Sequence, residues 1–326
     1  GLYVGLNIEA RMPRKVTLQC TGISWNATGN IMAASYGKND VDGWCDFPGA
    51  VCCWNIFGRN LVPDNPDFVL DHPSCLMCVS YHPLIPSIVA AGSFNGEVVV
   101  WDMTSPEGAT AVSAITEYSH KSPVLSINWV CSSLSGRGSG GSGGASLDPN
   151  SLDSWLLSST CSGGKALFWS LKNKLAHPVK GTTLPKCRAK SLPGATATAF
   201  ITAGRGGGGG TGASSFTPKW MLTGMQGGGI IRSPFTRMLG GPLLTQDSFK
   251  TYPPIEEVFL QLRSDDSYSY QSNNGAITAI QASPFHRNLF LLSGTDGMIR
   301  MFHLLEKQPI RMWEPTPPPG ASGVSG

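Results

Sequence analysis

The sequence predicts an all-β fold built from repeated antiparallel sheets, and three observations lead to this prediction. One unit of three apolar runs recurs five times along the 326 residues. In three copies the same five-residue interval separates a turn glycine from a closing aromatic residue, at Gly96–Trp101, Gly164–Trp169 and Gly297–Phe302. Charged residues make up only 14%, against about 25% in typical globular domains, whereas glycine (40) and proline (24) are abundant. This composition suits a chain with many tight turns.

The second copy shows the repeat most clearly. Its apolar runs are Cys75–Tyr81, Ser87–Ser93 and Glu97–Asp102, and Phe94-Asn95-Gly96 separates the last two. Asn-Gly between apolar runs is a strong hairpin signal, because both turn positions need a positive φ. The last run ends in Trp101-Asp102, the dipeptide that names WD repeats. Sheets with two apolar faces bury both by stacking radially, so the sequence predicts a WD-repeat β-propeller.

The other copies follow the same order with different clarity. The first spans Gly22–Ile56, the third Val124–Trp169 and the fifth Ala276–Phe302. The fourth, Ala197–Pro234, is the weakest because it lacks the closing aromatic residue. A WD-type propeller usually has about seven blades, so we expect further blades in a longer parent protein. We interpret Val16–Cys20 as a separate strand that could complete the last blade as a clasp.

Some residues are expected to brace the blades. Ser119-His120 stands where WD repeats carry a Gly-His dipeptide, and Asp296 in its tight turn is expected to be an acidic partner in the same bracing network. The predicted structural signature residues are Trp54, Trp101, Asp102, His120, Trp169, Asp296 and Gly297.

The predicted organisation has three parts. Residues 1–15 form a lead-in, residues 16–313 form the blades, and residues 314–326 form a Pro/Gly-rich linker or insert. Inserts are expected at about 133–153, 202–216 and 236–274. The first two are rich in glycine and are expected to be flexible loops whose removal costs little stability. In the third, Ile255–Leu262 fits either a strand or a short helix.

The sequence supports no catalytic, cofactor-binding or metal site. Gly138–Gly143 matches a dinucleotide fingerprint but lies in a Gly/Ser run with no helix after it. Cys75 and Cys78 have zinc-ligand spacing, but residues three apart on a strand point to opposite faces. The nine cysteines are expected to be reduced, which indicates a reducing compartment. The prediction is a binding platform without a cofactor, not an enzyme.

The expected partner is another protein. The net charge of +3 is too small to predict nucleic-acid binding, and no apolar run reaches the roughly 18 residues that would predict membrane insertion. The loop Gly37–Gly49 is long, and Trp44 and Phe47 are either folded back onto the blade or exposed as anchors. Phe94, in the neighbouring turn, is the next candidate, because aromatic residues dominate interface energetics. These three residues are the predicted protein-binding site.

The fifth copy carries a more specific likeness. Ser283–Gly297 closely resembles the corresponding blade of dynein intermediate chains, especially those of the motor that drives retrograde intraflagellar transport. Thr21–Gly29 and Tyr81–Asp102 resemble the same family, whereas the Gly-rich inserts depart from its pattern.

The resemblance implies a non-catalytic scaffold subunit of a ciliary dynein, whose propeller binds the heavy-chain tail. It also implies a second intermediate chain and dynein light chains as partners, through a region absent from this sequence, and contacts with intraflagellar-transport train proteins. The implied location is the cytoplasm, the cytoskeleton and the cilium or flagellum. Two alternatives are a WD-repeat adaptor or substrate receptor in another multiprotein complex, and a propeller enzyme.

Overall fold

The computed structural model describes nine segments of the chain: residues 18–58, 65–105, 108–131, 151–184, 194–202, 218–240, 243–251, 253–262 and 267–314. They form five sheets, and helix is limited to 7%. The predicted all-β propeller with five recognisable blades is therefore confirmed. Of the predicted segments, the lead-in 1–15, most of the first two inserts and almost all of the tail lie outside the described residues.

The first three blades each contain a meander of four antiparallel strands. The first blade consists of β1 (Gln19–Trp25), β2 (Ile31–Gly37), β3 (Gly49–Asn55) and β4 (Phe68–His72). The second consists of β5 (Leu76–Tyr81), β6 (Ile88–Ser93), β7 (Val98–Asp102) and β8 (Ala109–Val112). The third begins with β9 (Val124–Cys131), β10 (Trp155–Cys161), β11 (Lys165–Trp169) and β12 (Lys180–Thr183).

The last two blades enclose the long third insert. The fourth blade consists of β13 (Ala195–Thr202), β14 (Pro218–Met225), β15 (Ile230–Pro234) and β17 (Tyr268–Ser269). The insert contains α1 (Phe235–Met238), α2 (Ile255–Val258) and β16 (Leu260–Gln261). The fifth blade consists of β18 (Ile277–Ala282), β19 (Leu289–Gly294), β20 (Ile299–His303) and β21 (Pro309–Trp313).

The first strands of the five sheets line the axis. Each contacts the next in chain order, from β1 through β5, β9 and β13 to β18. The interfaces between blades hold the core, because valine, leucine and aromatic residues of adjacent sheets pack together there. All turns between second and third strands lie at one end of the sheets, which we call the upper face. Within the described segments, no helix is long and apolar enough to cross a bilayer.

The third insert ties the third blade to the fourth. Ile255–Leu262, which fitted a strand or a helix, contains both: α2 is followed by β16. β16 joins the third blade as a fifth strand, parallel to β12, and the chain then returns to add β17 to the fourth blade. Phe259 fills the space above Gly181, where a Cβ atom would collide with its ring. A glycine is therefore required at this crossing.

The expected clasp strand is wrong in its described part. Gln19 and Cys20 belong to β1, and Cys20 pairs with Tyr36 of β2. They continue the first strand of the first blade instead of ending a separate strand. Val16 and Thr17 lie outside the described residues.

Candidate protein-binding surface

The long loop between β2 and β3, residues 38–48, is held on the upper face by the second blade. The backbone N–H of Cys45 donates to Asn95 Oδ1 at 2.9 Å, and Asn95 Nδ2 donates to the carbonyl of Cys45 at 2.8 Å. Asn95 is buried within the turn between β6 and β7. Its side chain therefore satisfies both backbone groups of a loop residue that lies 50 positions earlier.

The same loop closes a small apolar cluster. Cys45, Cys75 and Met77 are buried in it, and Phe47 and Phe94 pack against it while half-buried. The Lys38 ammonium lies 5.6 Å from the centre of the Phe47 ring. Phe47 and Phe94 thus form the base of the surface and leave part of each ring accessible.

Trp44 behaves differently from Phe47. Its side chain is 63% exposed, although the next residue, Cys45, is fixed by Asn95. Asp42 and Asp46 on either side are exposed as well. The sequence left open whether these aromatic side chains are exposed or folded back onto the blade. Trp44 is exposed, whereas most of the Phe47 ring is folded back onto the blade. An exposed indole on a fixed backbone, between two carboxylates, is suited to enter an apolar pocket with a basic rim.

The signature histidine lies inside the wall between the second and third blades. His120 Nε2 is hydrogen-bonded to Ser159 Oγ at 2.7 Å, and Trp169 Nε1 donates to the same oxygen at 2.7 Å. Burial lowers the pKa of His120 to about 3. The imidazole is neutral at physiological pH and is joined to the third blade through its hydroxyl partner.

The other signature residues have mostly local contacts. Asp102 accepts hydrogen bonds from the backbone N–H of Thr104 at 3.0 Å and from its hydroxyl at 2.7 Å. Asp296 is hydrogen-bonded to both terminal nitrogens of Arg300 in its own hairpin, and Arg300 lowers the pKa of this carboxyl group. Gly297 has φ +76°, as its turn requires. Trp54 and Trp101 are buried.

Sequence reasoning missed two contacts that join neighbouring blades. The His82 ring lies edge-on to Trp129 and Trp155 at 4.8 Å, and its Nδ1 accepts from the backbone N–H of Ile85 at 3.0 Å. Burial lowers the pKa of His82 to about 4. The position of His82 before a proline turn was the available signal. Asn95 was recognised only as a turn residue, because nothing local points to its partner.

The described residues contain no group of three His, Cys, Asp or Glu side chains placed to hold a metal ion. Cys75 lies in the cluster with Cys45, whereas Cys78 Sγ donates to the carbonyl of Val124 at 3.2 Å. The two side chains thus belong to different environments. Burial raises the pKa of both thiols to about 12, which keeps them protonated.

Comparisons with known proteins give a consistent set of relatives. No family model matches the sequence. The chain is 29% identical over 307 residues to cytoplasmic dynein 2 intermediate chain 2 of Mus musculus, which covers 90% of this chain and 50% of the relative. The Homo sapiens protein of that name gives the same identity over 309 residues. The ciliary dynein intermediate chain 3 of Heliocidaris crassispina is 36% identical over 126 residues, which is 37% of this chain and 20% of that protein. The chain spans about half the length of the first two relatives.

Proposed function

Because the chain is similar to WD-repeat dynein intermediate chains over 90% of its length, as its own motifs predict, we propose that it is a dynein subunit. Its finer role in this proposal is a non-catalytic scaffold of a ciliary motor. The propeller binds the heavy-chain tail and so assembles the complex for retrograde intraflagellar transport. The observation that carries the proposal is the similarity to two dynein-2 intermediate chains over 90% of this chain.

The upper face of the first two blades is the surface that we propose for the heavy chain. Trp44 is the anchor, with Phe47 and Phe94 as its half-buried base. Interface energy concentrates in a few aromatic side chains that enter pockets. Because Asn95 fixes the loop before binding, little conformational entropy is lost when Trp44 is captured.

The proposed role is structural, and the buried titratable groups support it. His82 and His120 have pKa values far below neutrality, and the thiols of Cys75 and Cys78 have pKa values far above it. These groups are therefore poor proton-transfer agents and poor nucleophiles at physiological pH. They are suited to bracing the blades, and the proposal includes no cofactor.

The remaining partners are proposed from the same resemblance. They are a second intermediate chain and dynein light chains, through a region absent from this sequence, and proteins of the intraflagellar-transport train. The proposed location is the cytoplasm, the cytoskeleton and the cilium or flagellum. Neither nucleic-acid binding nor membrane insertion is part of the proposal.

Affinity purification from ciliated cells tests the proposal, with Trp44→Ala as the variant. The unsubstituted chain should co-purify dynein heavy chain, and Trp44→Ala should weaken this binding by about 1–2 kcal/mol, or about 5–30-fold. Phe285→Ala is the matched control, because Phe285 is also exposed but lies in a turn between first and second strands, at the opposite end of the sheets.

Two outcomes would contradict the proposal at different levels. Equal heavy-chain recovery with Trp44→Ala and the unsubstituted chain would place the binding surface elsewhere. Recovery of a ubiquitin-ligase core or another complex without heavy chain would favour the adaptor or substrate-receptor alternative.

A further inference from the structure

The loop of residues 38–48 is acidic, although the chain as a whole is basic. Its charged residues are Lys38, Asp40, Asp42 and Asp46, so one positive and three negative charges give −2, against a net charge of +3 for the chain. The Lys38 ammonium lies 3.5 Å from the Asp40 carboxylate, and these two charges offset each other. The remaining negative charge of the loop belongs to Asp42 and Asp46.

Asp42 and Asp46 are held beside the exposed indole of Trp44. Both are exposed, and within the described segments neither carboxylate forms an ion pair or a side-chain hydrogen bond. They are also not part of a group placed to hold a metal ion, because the described residues contain none. Each lies two positions from Trp44, and the contact between Asn95 and Cys45 fixes the backbone between them. The two charges are therefore positioned to face whatever receives the indole.

An exposed indole and the charges beside it contribute differently to binding. Complementary charges at the edge of an interface raise the association rate, and dissolved salt screens this effect. An aromatic ring that is buried in a pocket of the partner mainly slows dissociation. Trp44 is 63% exposed and has an unpaired carboxylate on either side. A pocket bordered by lysine or arginine complements both features, whereas an acidic border would place like charges together.

We propose that the partner segment bound by the loop of residues 38–48 is basic. Its lysine or arginine side chains border the pocket that receives the Trp44 ring and pair with Asp42 and Asp46. Under the proposed function, on which this inference rests, this partner is a basic segment of the heavy-chain tail. Because the charge pairs form at the edge of the contact, they speed association at low salt, whereas Trp44 determines how long the complex lasts.

Binding kinetics of the whole chain with dynein heavy-chain complex purified from ciliated cells test this inference. The double variant Asp42→Asn, Asp46→Asn should associate about three- to tenfold more slowly at about 0.05 M salt, but less than about twofold more slowly at about 0.5 M salt. Its dissociation rate should change by less than about twofold. Trp44→Ala should show the opposite pattern, with dissociation about 5–30-fold faster and association nearly unchanged.

A matched control removes the same charge from the opposite end of the sheets. Asp153 and Glu306 are exposed, and they lie in a connection between first and second strands and a turn between third and fourth strands, respectively. The double variant Asp153→Asn, Glu306→Gln should associate within about twofold of the unsubstituted chain at both salt concentrations. Equal slowing of association in the two double variants would overturn the inference, because only the overall charge would then matter. Slowing by the Asp42 and Asp46 substitutions that salt does not diminish would overturn it as well.

Photo-crosslinking separates this inference from the proposed function. The photoreactive residue p-benzoylphenylalanine replaces Trp44 in ciliated cells, and mass spectrometry identifies the captured segment. We expect a heavy-chain segment with lysine or arginine beside the crosslinked position, and capture should fall about threefold or more when Asp42→Asn and Asp46→Asn are added.

The other crosslinking outcomes contradict different statements. Capture of a basic segment of another protein, with the same dependence on Asp42 and Asp46, would overturn the heavy-chain role and support the basic partner. Capture of a heavy-chain segment without lysine or arginine at the crosslink would overturn the basic partner and support the heavy-chain role. A chain that captures no protein through position 44 would overturn both.

Discussion

Two neighbouring hairpin connections on the upper face are held in their conformations in different ways. The turn of the second blade, Phe94-Asn95-Gly96, is short, and its own residues determine its shape: Gly96 has φ +91°. The loop of the first blade, residues 38–48, is long and takes its fixed position from Asn95 and from the apolar cluster beneath it. The short turn therefore organises the long loop, and the long loop carries the exposed aromatic residue.

The largest effect on stability should come from a substitution of Gly96, because both hairpin connections depend on the turn that contains it. In Gly96→Ala the alanine must adopt a positive φ, which is strained for a residue with a side chain. Its Cβ would also collide with the backbone carbonyl of His120. We expect the free energy of unfolding to fall by about 3–5 kcal/mol, from conformational strain plus overpacking. Gly43→Ala in the long loop should cost only about 1–2 kcal/mol, because Gly43 has φ +77° but open space around it. Chemical denaturation measures both, and equal losses would contradict the comparison.

The next effect concerns the link between the two connections. Asn95→Ala leaves the backbone N–H and carbonyl of Cys45 without their partners, and we expect a loss of about 2 kcal/mol. The loop should also open, so that Cys45 and Cys75 react faster with iodoacetamide, as mass spectrometry would measure. Asn39→Ala, an exposed position in the same loop, is the control and should change stability by less than about 0.5 kcal/mol. Unchanged alkylation in Asn95→Ala would show that the cluster alone holds the loop.

Acid should destabilise the contact between the second and third blades, where His120 is buried below the short turn. The folded-state pKa of His120 is about 3, below the ordinary value of 6.5, so the unfolded chain binds the additional proton between these values. His120 makes its full contribution to the free energy of unfolding above pH 6.5, and this contribution declines as the pH falls towards 3. Between pH 7.5 and pH 5.5 the loss should be about 1.4 kcal/mol from His120 alone.

Denaturation at the two pH values, compared with His120→Gln, isolates this contribution. Gln cannot be protonated in this range, so the variant should lose less stability on acidification than the unsubstituted chain, although it is less stable at pH 7.5. An identical pH dependence in the two proteins would contradict the burial argument.

The sequence predicted the positions of the blades, which depend on local spacing. It missed the features that depend on contacts between residues far apart in the chain. The interval from turn glycine to aromatic residue located the blades because three strands and two turns follow one another directly. β16 escaped prediction as a strand of the third blade, since its pairing with β12 depends on the fit of Phe259 over Gly181, far away in sequence. The expected clasp failed because the alternation of β1 simply begins earlier, at Gln19.

The candidate surface shows the same difference between local and distant determinants. The sequence identified Trp44, Phe47 and Phe94 as aromatic residues in long or tight turns, but it did not decide which of them is exposed. That depends on the Asn95–Cys45 contact, which joins two blades and has no local signal. Asp296 was similarly recognised as a turn residue, whereas its partner Arg300 followed only from the strand register.

The smallest effect on stability should occur at the residue with the largest proposed effect on binding. Trp44→Ala should change the free energy of unfolding by less than about 0.5 kcal/mol, because most of the side chain is in solvent in the folded chain. Phe47→Ala should cost about 1 kcal/mol, because the ring packs on the cluster of Cys45, Cys75 and Met77. Thermal melting of both variants gives this order, and heavy-chain binding should show the reverse order. If Trp44→Ala destabilised the chain as much as Phe47→Ala, the loop would be a folding element of the blade, and weaker binding by that variant would no longer indicate a direct contact.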